Sequence, residues 1–158
     1  RLIASVWLAV MTTIYLENDD LERRNNLLQE KYRLIQEREQ SAEEYMTDDA
    51  ELVFVAYGIS ARIARTAVAE LRKQEYKVGL LRPKMVFPFP ERALNKIVRA
   101  GHVRNFLCVE LSPGQMIEDV KLSIECRIPV HLAGRMGGNI PSVREICEKA
   151  LALLKGGC

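Results

Sequence analysis

The 158 residues include two histidines, one tryptophan and four cysteines, and no apolar run is long enough to cross a bilayer. Each shortage removes a class of function. With only His102 and His131, no Ser, His and Asp set can be assembled from motif spacing. Cys108, Cys126, Cys147 and Cys158 lie 18, 21 and 11 residues apart, matching neither a CxxC knuckle nor a dense disulfide framework, so no metal site is expected. The most apolar stretch, LIASVWLAVMTTIYL at residues 2–16, falls short of the roughly 20 residues that a membrane-spanning helix needs. No A-x-A-like cleavage site follows it and acidic residues come directly after, so it reads as a core segment parted from its partner rather than a signal peptide. No membrane contact is expected. Arg1 stands where an initiator Met would, which suggests a processed chain or a piece of a longer one.

What is present is charge, unevenly divided. Residues 17–51 carry 12 acids and 5 bases, whereas residues 52–158 carry 9 acids and 17 bases, so a net of +2 hides an acidic connector and a basic domain. A basic half invites nucleic acid. Here the charges are scattered among helical positions and aromatics make up only 6% of the chain, without the interleaved stacking groups such a site uses, so no nucleic-acid partner is expected. An apolar content of 48% rules out a disordered chain and suffices for one compact core.

The connector, from Asp19 to about Met46, has the pattern of a charged helix that Asp19 and Glu22 could cap. Leu21, Leu28, Tyr32, Ile35, Ala42 and Met46 recur at spacings of 7, 4, 3, 7 and 4 and define a narrow stripe. Such a stripe could lie on a neighbouring domain or pair two copies of the chain as a homodimer; a solvated linker helix reads equally well.

From residue 51 the pattern alternates between strand and helix. ELVFVAY at 51–57 is an apolar run of strand length, ended by Gly58 before Ser60 can cap a helix that buries Ile63, Ala64, Ala67, Val68 and Leu71. Lys77–Leu81 gives a second strand, after which Pro83, Pro88 and Pro90 exclude a central strand or helix interior through RPKMVFPFP. Pro90 suits the first turn of a helix carrying Leu94, Ile97 and Val98, with Gly101 as its stop. Asn105–Leu111 is a third strand, turned by Ser112-Pro113-Gly114 into a helix with Met116, Ile117, Val120 and Ile124 inside. Ile128–Ala133 is a fourth strand, followed by the glycine loop 134–138 and by a helix that Ser142 and Glu145 box at its start, that buries Ile146, Cys147, Ala150 and Leu154, and that stops at Gly156. Apolar strands joined by helices predict a mainly parallel α/β sheet with right-handed crossovers.

In open parallel sheets, sites gather at the carboxyl ends of the strands, so four loops are candidates: 58–60, RPKMVFPFP, 110–115 and the glycine loop. Gly58-Ile59-Ser60 could present N–H groups to a phosphate, although a single glycine equally suits a plain turn. Glu110 ends an apolar strand, where burial could make it a proton donor or acceptor; the alternative is a carboxylate held by backbone N–H groups or an arginine. Gly134, Gly137 and Gly138 flank Arg135 and allow a close approach to a ligand or another subunit, with Arg135 offering a planar donor fork. Their spacing matches neither G-x-G-x-x-G nor a P-loop.

The strings YGISARIARTAVAELRKQEYKVGLLRPKMVFPFPERAL, VELSPGQMIEDVKLSI and PVHLAGRMGGNIPSVREI resemble, in that order, the carboxyl-terminal domain of the alpha subunit of 2-oxoacid:ferredoxin oxidoreductases. The branched-chain, 2-oxoisovalerate type fits best, because LERRNNLLQEKYRLIQEREQSAEEYMTDDAE also looks like its interdomain segment. The resemblance implies a three-layer α/β/α fold with a mostly parallel five-stranded sheet, like the transketolase C-terminal domain. Residues 1–50 would be the apolar segment and connector, and residues 51–158 the domain. It also implies a cytoplasmic multi-subunit enzyme that oxidatively decarboxylates a 2-oxoacid to an acyl-CoA and reduces ferredoxin, using thiamine diphosphate, Mg, iron-sulfur clusters and CoA. Thiamine diphosphate would lie between a preceding pyrimidine-binding domain and a beta subunit, with gamma and delta-type subunits alongside. No catalytic, cofactor-binding or metal-binding residue is then expected in this chain. Pro88, Phe89, Pro90, Arg135, Gly137, Gly138, Leu28 and Ile35 become candidates for subunit packing.

Three features depart from the family pattern: the apolar segment before Thr13 does not follow it, Glu75 stands where a helix-ending glycine would be easier, and Met85-Val86-Phe87 replaces a commoner Thr-Leu-Trp. A rival of another class is a free-standing interaction or small-ligand module of the same fold. A transketolase or dehydrogenase relative with a different reaction should carry loop strings other than GRMGG and SPGQM.

Overall fold

The computed structural model describes residues 17–156; the apolar stretch 2–16 and Cys158 lie outside the described residues. The elements run α1 (Asn18–Arg38), β1 (Ala42–Tyr45), β2 (Leu52–Val55), α2 (Gly58–Lys73), β3 (Val78–Pro83), α3 (Glu91–Ala100), β4 (Asn105–Glu110), α4 (Met116–Ser123), β5 (Val130–Gly134) and α5 (Val143–Leu154). They build a five-stranded sheet in the order β1-β3-β2-β4-β5, with only β1 antiparallel to its neighbour.

LVFV makes β2 the middle strand because every one of its side chains can be buried. Leu52 and Phe54 join the core beneath α2 and α5, while Val53 and Val55 join the core beneath α3 and α4. The two-sided packing follows from chirality. The chain moves from β2 outward to β3 and then back across to β4 and β5, and right-handed crossovers in opposite directions place their helices on opposite faces. The carboxyl ends of β2 and β4 therefore flank the point where the strand order reverses.

The ends of the elements obey local chemistry. Ser142 and Glu145 complete a reciprocal capping box on α5, and Gly101 closes α3 in the left-handed region at φ 78°. α2 ends in a paired bond set, Tyr76 N–H to the Leu71 carbonyl and Glu75 N–H to the Arg72 carbonyl, which forces Glu75 to φ 66°. The glycine expected there would remove the strain that a side chain brings to this region.

Several expectations about the connector and the turns change. The charged helix stops at Arg38 instead of reaching Met46, and its Ncap is Glu17, with no side-chain cap bond from Asp19 or Glu22. Ala42–Tyr45 leaves the helical stripe to pair with Pro83–Leu80, supplying the fifth strand, so the sheet begins ahead of residue 51. Sheet pairing outweighs a helical pattern that is too polar to bury a face. Ser60 lies inside α2 and is buried, with Tyr57 as the Ncap, and Pro83 ends β3 opposite Ala42.

β1 is strapped down by charge. Glu43 takes Arg65 at 2.7 Å and Arg82 at 3.2 Å, Glu44 takes Lys96 at 3.0 Å, and Arg72 grips Asp49 with two nitrogens at 2.9 and 2.6 Å. Arg65 also stacks 4.3 Å above the Tyr45 ring. Gly79 lets the strands close: a Cβ there would sit 2.5 Å from the Met46 carbonyl oxygen.

Candidate functional site

The strand register brings all four candidate loops to one edge. Val55 lies beside Leu81 and Cys108, and Cys108 beside Leu132, so β3, β2, β4 and β5 emit their loops in a single row.

Glu110, the one carboxylate buried at this edge, is held in place. Its Oε2 accepts from the Ser112 hydroxyl and from the Gln115 and Met116 N–H groups, each at 2.9 Å, and its Oε1 accepts from the Ile117 N–H at 2.9 Å. The free N–H groups of the first turn of α4 thus find their anion in the preceding strand. Of the two readings the sequence left open, the structural one holds: four donors fix the carboxylate as the frame of the SPGQ loop. Asp119, one turn on, has its carboxyl pushed above the ordinary value, first by burial and then by the Glu110 charge.

The glycine loop leans on the same frame. A Cβ on Gly134 would meet the Ser112 carbonyl oxygen at 2.5 Å, so these two loops touch only because residue 134 is glycine. Arg135 is half exposed and ion-paired with Glu145 beside a cavity of about 530 Å³ between β5 and α5, lined also by Gly134, Pro141 and Lys149. Lys149 donates to the Leu132 carbonyl at 3.1 Å, which blunts the open edge of the sheet. Gly137 and Gly138 are exposed, at φ 64° and 83°, with open space where a Cβ would stand. They serve the turn, and no contact within the described chain demands them.

The RPKMVFPFP stretch divides in two. Pro88 and Pro90 are buried and Phe89 packs half-buried against the core under α3 and α4, so this chain's own packing takes them up. The exposed part is Met85-Val86-Phe87. Phe87 meets Tyr32 of α1 edge to face at 6.0 Å, and a cavity of about 300 Å³ opens here between Gln36 and Gln40 on one side and Val86 to Phe89 on the other. Leu28 and Ile35 are the half-buried members of the α1 stripe, while Leu21, Leu27, Tyr32 and Leu34 stay exposed. The helix and the PFP loop, two separate candidates in the sequence, are thus one neighbourhood.

The remaining polar candidates lie elsewhere. His131 faces Asn105 Oδ1 at 3.1 Å towards the amino end of β4, and His102 is exposed after α3. Burial pushes the Cys108 thiol up, and Cys147 is shifted the same way. Among the described residues no group of three or more His, Cys, Asp or Glu side chains could hold a metal ion, and no helix is long and apolar enough to cross a membrane. Sequence reasoning picked out the segments of Ile59, Leu111 and Met136 for their turns and backbone and passed over their apolar side chains, as it did Tyr57 and Ile140, all exposed at the carboxyl edge. Their signal was present: each is an apolar residue inside a loop otherwise composed for turning.

A family model described as pyruvate:ferredoxin oxidoreductase core domain II matches residues 50–146. The ketoisovalerate oxidoreductase subunit VorB of Methanothermobacter marburgensis is 48% identical over 140 residues, covering 89% of this chain and 39% of that protein. The 2-oxoglutarate synthase subunit KorA of the same organism is 30% identical over 107 residues, covering 68% of this chain and 28% of that one. The chain therefore spans well under half the length of these curated relatives. Among solved structures, the 2-oxoglutarate:ferredoxin oxidoreductase of Magnetococcus marinus superposes with a TM-score of 0.65 at 13% identity, covering 87% of this chain and 24% of that one. A split-gene transketolase gives 0.60 at 15% identity, covering 73% and 41%. At such identities these two establish the shared fold, the α/β transketolase C-terminal-like architecture, and nothing further.

Proposed function

Because the chain belongs to the pyruvate:ferredoxin oxidoreductase core domain II family, we propose that it serves as the carboxyl-terminal domain of the alpha subunit of a 2-oxoacid:ferredoxin oxidoreductase of the 2-oxoisovalerate type. Its role is assembly. In the whole enzyme a 2-oxoacid is oxidatively decarboxylated to an acyl-CoA and ferredoxin is reduced. Residues 1–50 lead from a preceding pyrimidine-binding domain, and residues 51–158 form the domain to which the connector lends β1. Beta, gamma and delta-type subunits and a cytoplasmic setting belong to the same proposal.

The observation that carries it is Glu110. The one buried carboxylate at the edge where this fold places its sites spends both oxygens on Ser112 and the start of α4. The Glu110 carboxylate occupies the helix start where a diphosphate could otherwise bind, which supports the reading that thiamine diphosphate is held elsewhere. In this proposal thiamine diphosphate, Mg, the iron-sulfur clusters and CoA are held by the other domains and subunits. The branched-chain preference is supported by 48% identity to the ketoisovalerate subunit against 30% to the 2-oxoglutarate subunit.

The test is turnover. The full-length subunit assembled with its partner chains should reduce ferredoxin or a viologen dye faster with 2-oxoisovalerate than with pyruvate or 2-oxoglutarate, and the 158 residues alone should be inactive. Preference for pyruvate would overturn the branched-chain reading, and turnover by the isolated chain would overturn the assembly role.

A further inference from the structure

The cavity of about 300 Å³ beside Phe87 is walled by four separate segments: Gln36 and Gln40 at and just beyond the end of α1, Val86 to Phe89 after β3, Glu91 opening α3, and Asp119 in the first turn of α4. Bonds between these segments hold it in shape. Gln40 Oε1 accepts from the Arg92 N–H at 3.0 Å while its Nε2 donates to the Gln36 carbonyl at 3.0 Å, and the Lys84 N–H donates to the Ser41 carbonyl at 3.0 Å. Tyr32 meets Phe87 edge to face at 6.0 Å on the same side.

The charge of the lining is of one sign. Among the described residues, Glu91 and Asp119 are the only charged side chains that face this cavity, and neither carboxylate has an ion pair or a hydrogen bond. Lys84 and Arg92 flank the loop in sequence, yet neither lines the cavity, and Arg92 borders the smaller cavity on the other side of Gln40. Burial and the Glu110 charge hold the Asp119 carboxyl above its ordinary value, with no positive group of the chain to offset them. The first turns of α3 and α4 favour an acid for their own sake, but that does not account for aromatic rings and an unpaired Gln36 amide around the same space.

We infer that the cavity between the end of α1 and the PFP loop binds an organic cation of the alkylguanidinium class, held by Glu91, Asp119 and the Gln36 amide carbonyl and packed against Phe87. The lining selects this chemistry. Two unpaired carboxylates repel the anionic groups of 2-oxoacids and phosphates. A hard divalent ion could use those carboxylates but gains nothing from the rings, and among the described residues no group of three or more His, Cys, Asp or Glu side chains could hold a metal. A guanidinium is weakly hydrated, stays charged at any ordinary pH, stacks on aromatic faces and presents several N–H donors in a planar fork. The volume lies at the small end of ligand pockets, which suits a side chain or a compact ligand rather than a large cofactor. An arginine side chain of another polypeptide and a free alkylguanidine share this chemistry.

The experiment titrates ethylguanidinium onto the full-length subunit, with uncharged ethylurea as the control, and follows the ligand protons by saturation-transfer NMR. Ethylguanidinium should bind and ethylurea should not. Glu91→Gln with Asp119→Asn should weaken binding about tenfold and Phe87→Ala about threefold, while Glu70→Gln, exposed on α2 across the sheet, leaves it unchanged. Circular dichroism should be the same for all of these variants. Repeating the titration on the subunit assembled with its partner chains separates the two sources: exclusion of the probe shows that a partner's arginine fills the cavity, and undiminished binding shows that a free ligand does. No binding to the subunit, equal binding of ethylurea, full displacement by equimolar Mg²⁺, or unaltered affinity in the doubly substituted protein would overturn the inference. The readout needs no turnover, so an assembly that oxidises no 2-oxoacid would overturn the enzymatic reading and leave this one standing.

Discussion

α1 and α2 are the two longest helices among the described residues, and they relate to the core in opposite ways. α2 buries six of its 16 residues, with Ala64, Ala67, Val68 and Leu71 completely covered, whereas α1 has no buried residue in 21. Both carry an apolar stripe. The difference is what fills it: α2 places small alanines next to Val68 and Leu71 so that the helix can approach the sheet closely, while α1 has no alanine and spreads its apolar residues among Arg, Lys, Glu and Asn. Helical periodicity alone does not commit a helix to a core; the density of apolar and small residues on one face does.

The sharpest way to break this contrast is to truncate a leucine in each helix. Leu71→Ala should cost about 2–5 kcal/mol, read as a shift in the urea midpoint, because the side chain is completely buried. Leu28→Ala on α1 should cost less than about 1 kcal/mol, and an equal loss in both would show that α1 belongs to the folding unit.

Next comes the junction between connector and domain. Gly79→Ala puts a methyl group 2.5 Å from the Met46 carbonyl oxygen, so β1 must shift, at about 1–3 kcal/mol. Hydrogen exchange should report lost protection in Ala42–Tyr45 while β2 and β4 keep theirs.

A smaller effect of opposite sign is expected where α2 ends. Glu75 sits at φ 66°, so Glu75→Gly should raise stability by about 1 kcal/mol, read from the same urea curves.

The smallest effect is the acid response of the β1 strap. Arg65 beside Glu43 and Arg72 beside Asp49 hold these carboxyls below their ordinary values of 4.5 and 3.8. Depressed values mean that their contribution is complete above the ordinary range and is lost as pH falls through the lowered values. Protection of β1 should therefore fade below about pH 4 ahead of the core strands, whereas Lys96, raised above 10.5 by Glu44, loosens only in strong alkali. Exposed pairs of this kind each contribute little, so the global transition should move less than β1 exchange does.

Several features were legible in the order of residues because they depend on near neighbours. The box of Ser142 and Glu145, the stop at Gly101 and the strain at Glu75 are settled within a single turn of helix. ELVFVAY announced a strand, and the structure covers it on both faces as so apolar a run requires. β1 was illegible for the converse reason. AEEY continues the charged helix by periodicity, and it becomes a strand because the backbone of β3, distant in sequence, offers it pairing, with Arg65, Arg82 and Lys96 placed to receive its carboxylates. Among the packing candidates, Leu28 and Ile35 lie on the helix whose Tyr32, Gln36 and Gln40 flank the PFP loop, while Pro88 and Pro90 turn inward and Val86 and Phe87 stay exposed.

By itself, then, the sequence determined the α/β alternation, the four parallel strands, the capping box of α5 and the glycine stop of α3, and the loops where a site would lie, because turns and amphipathic faces are set by contacts a few residues apart. Only the tertiary structure decided how those loops are used. Glu110 could have been an acid, a base or a brace, and four donors gathered from α4 and its loop made it a brace. Tyr57, Ile59, Leu111 and Met136 are unremarkable singly, and strand register brought the segments that carry them to one edge of the sheet. Register and long-range charge pairing join residues separated by dozens of positions, and no local pattern encodes them.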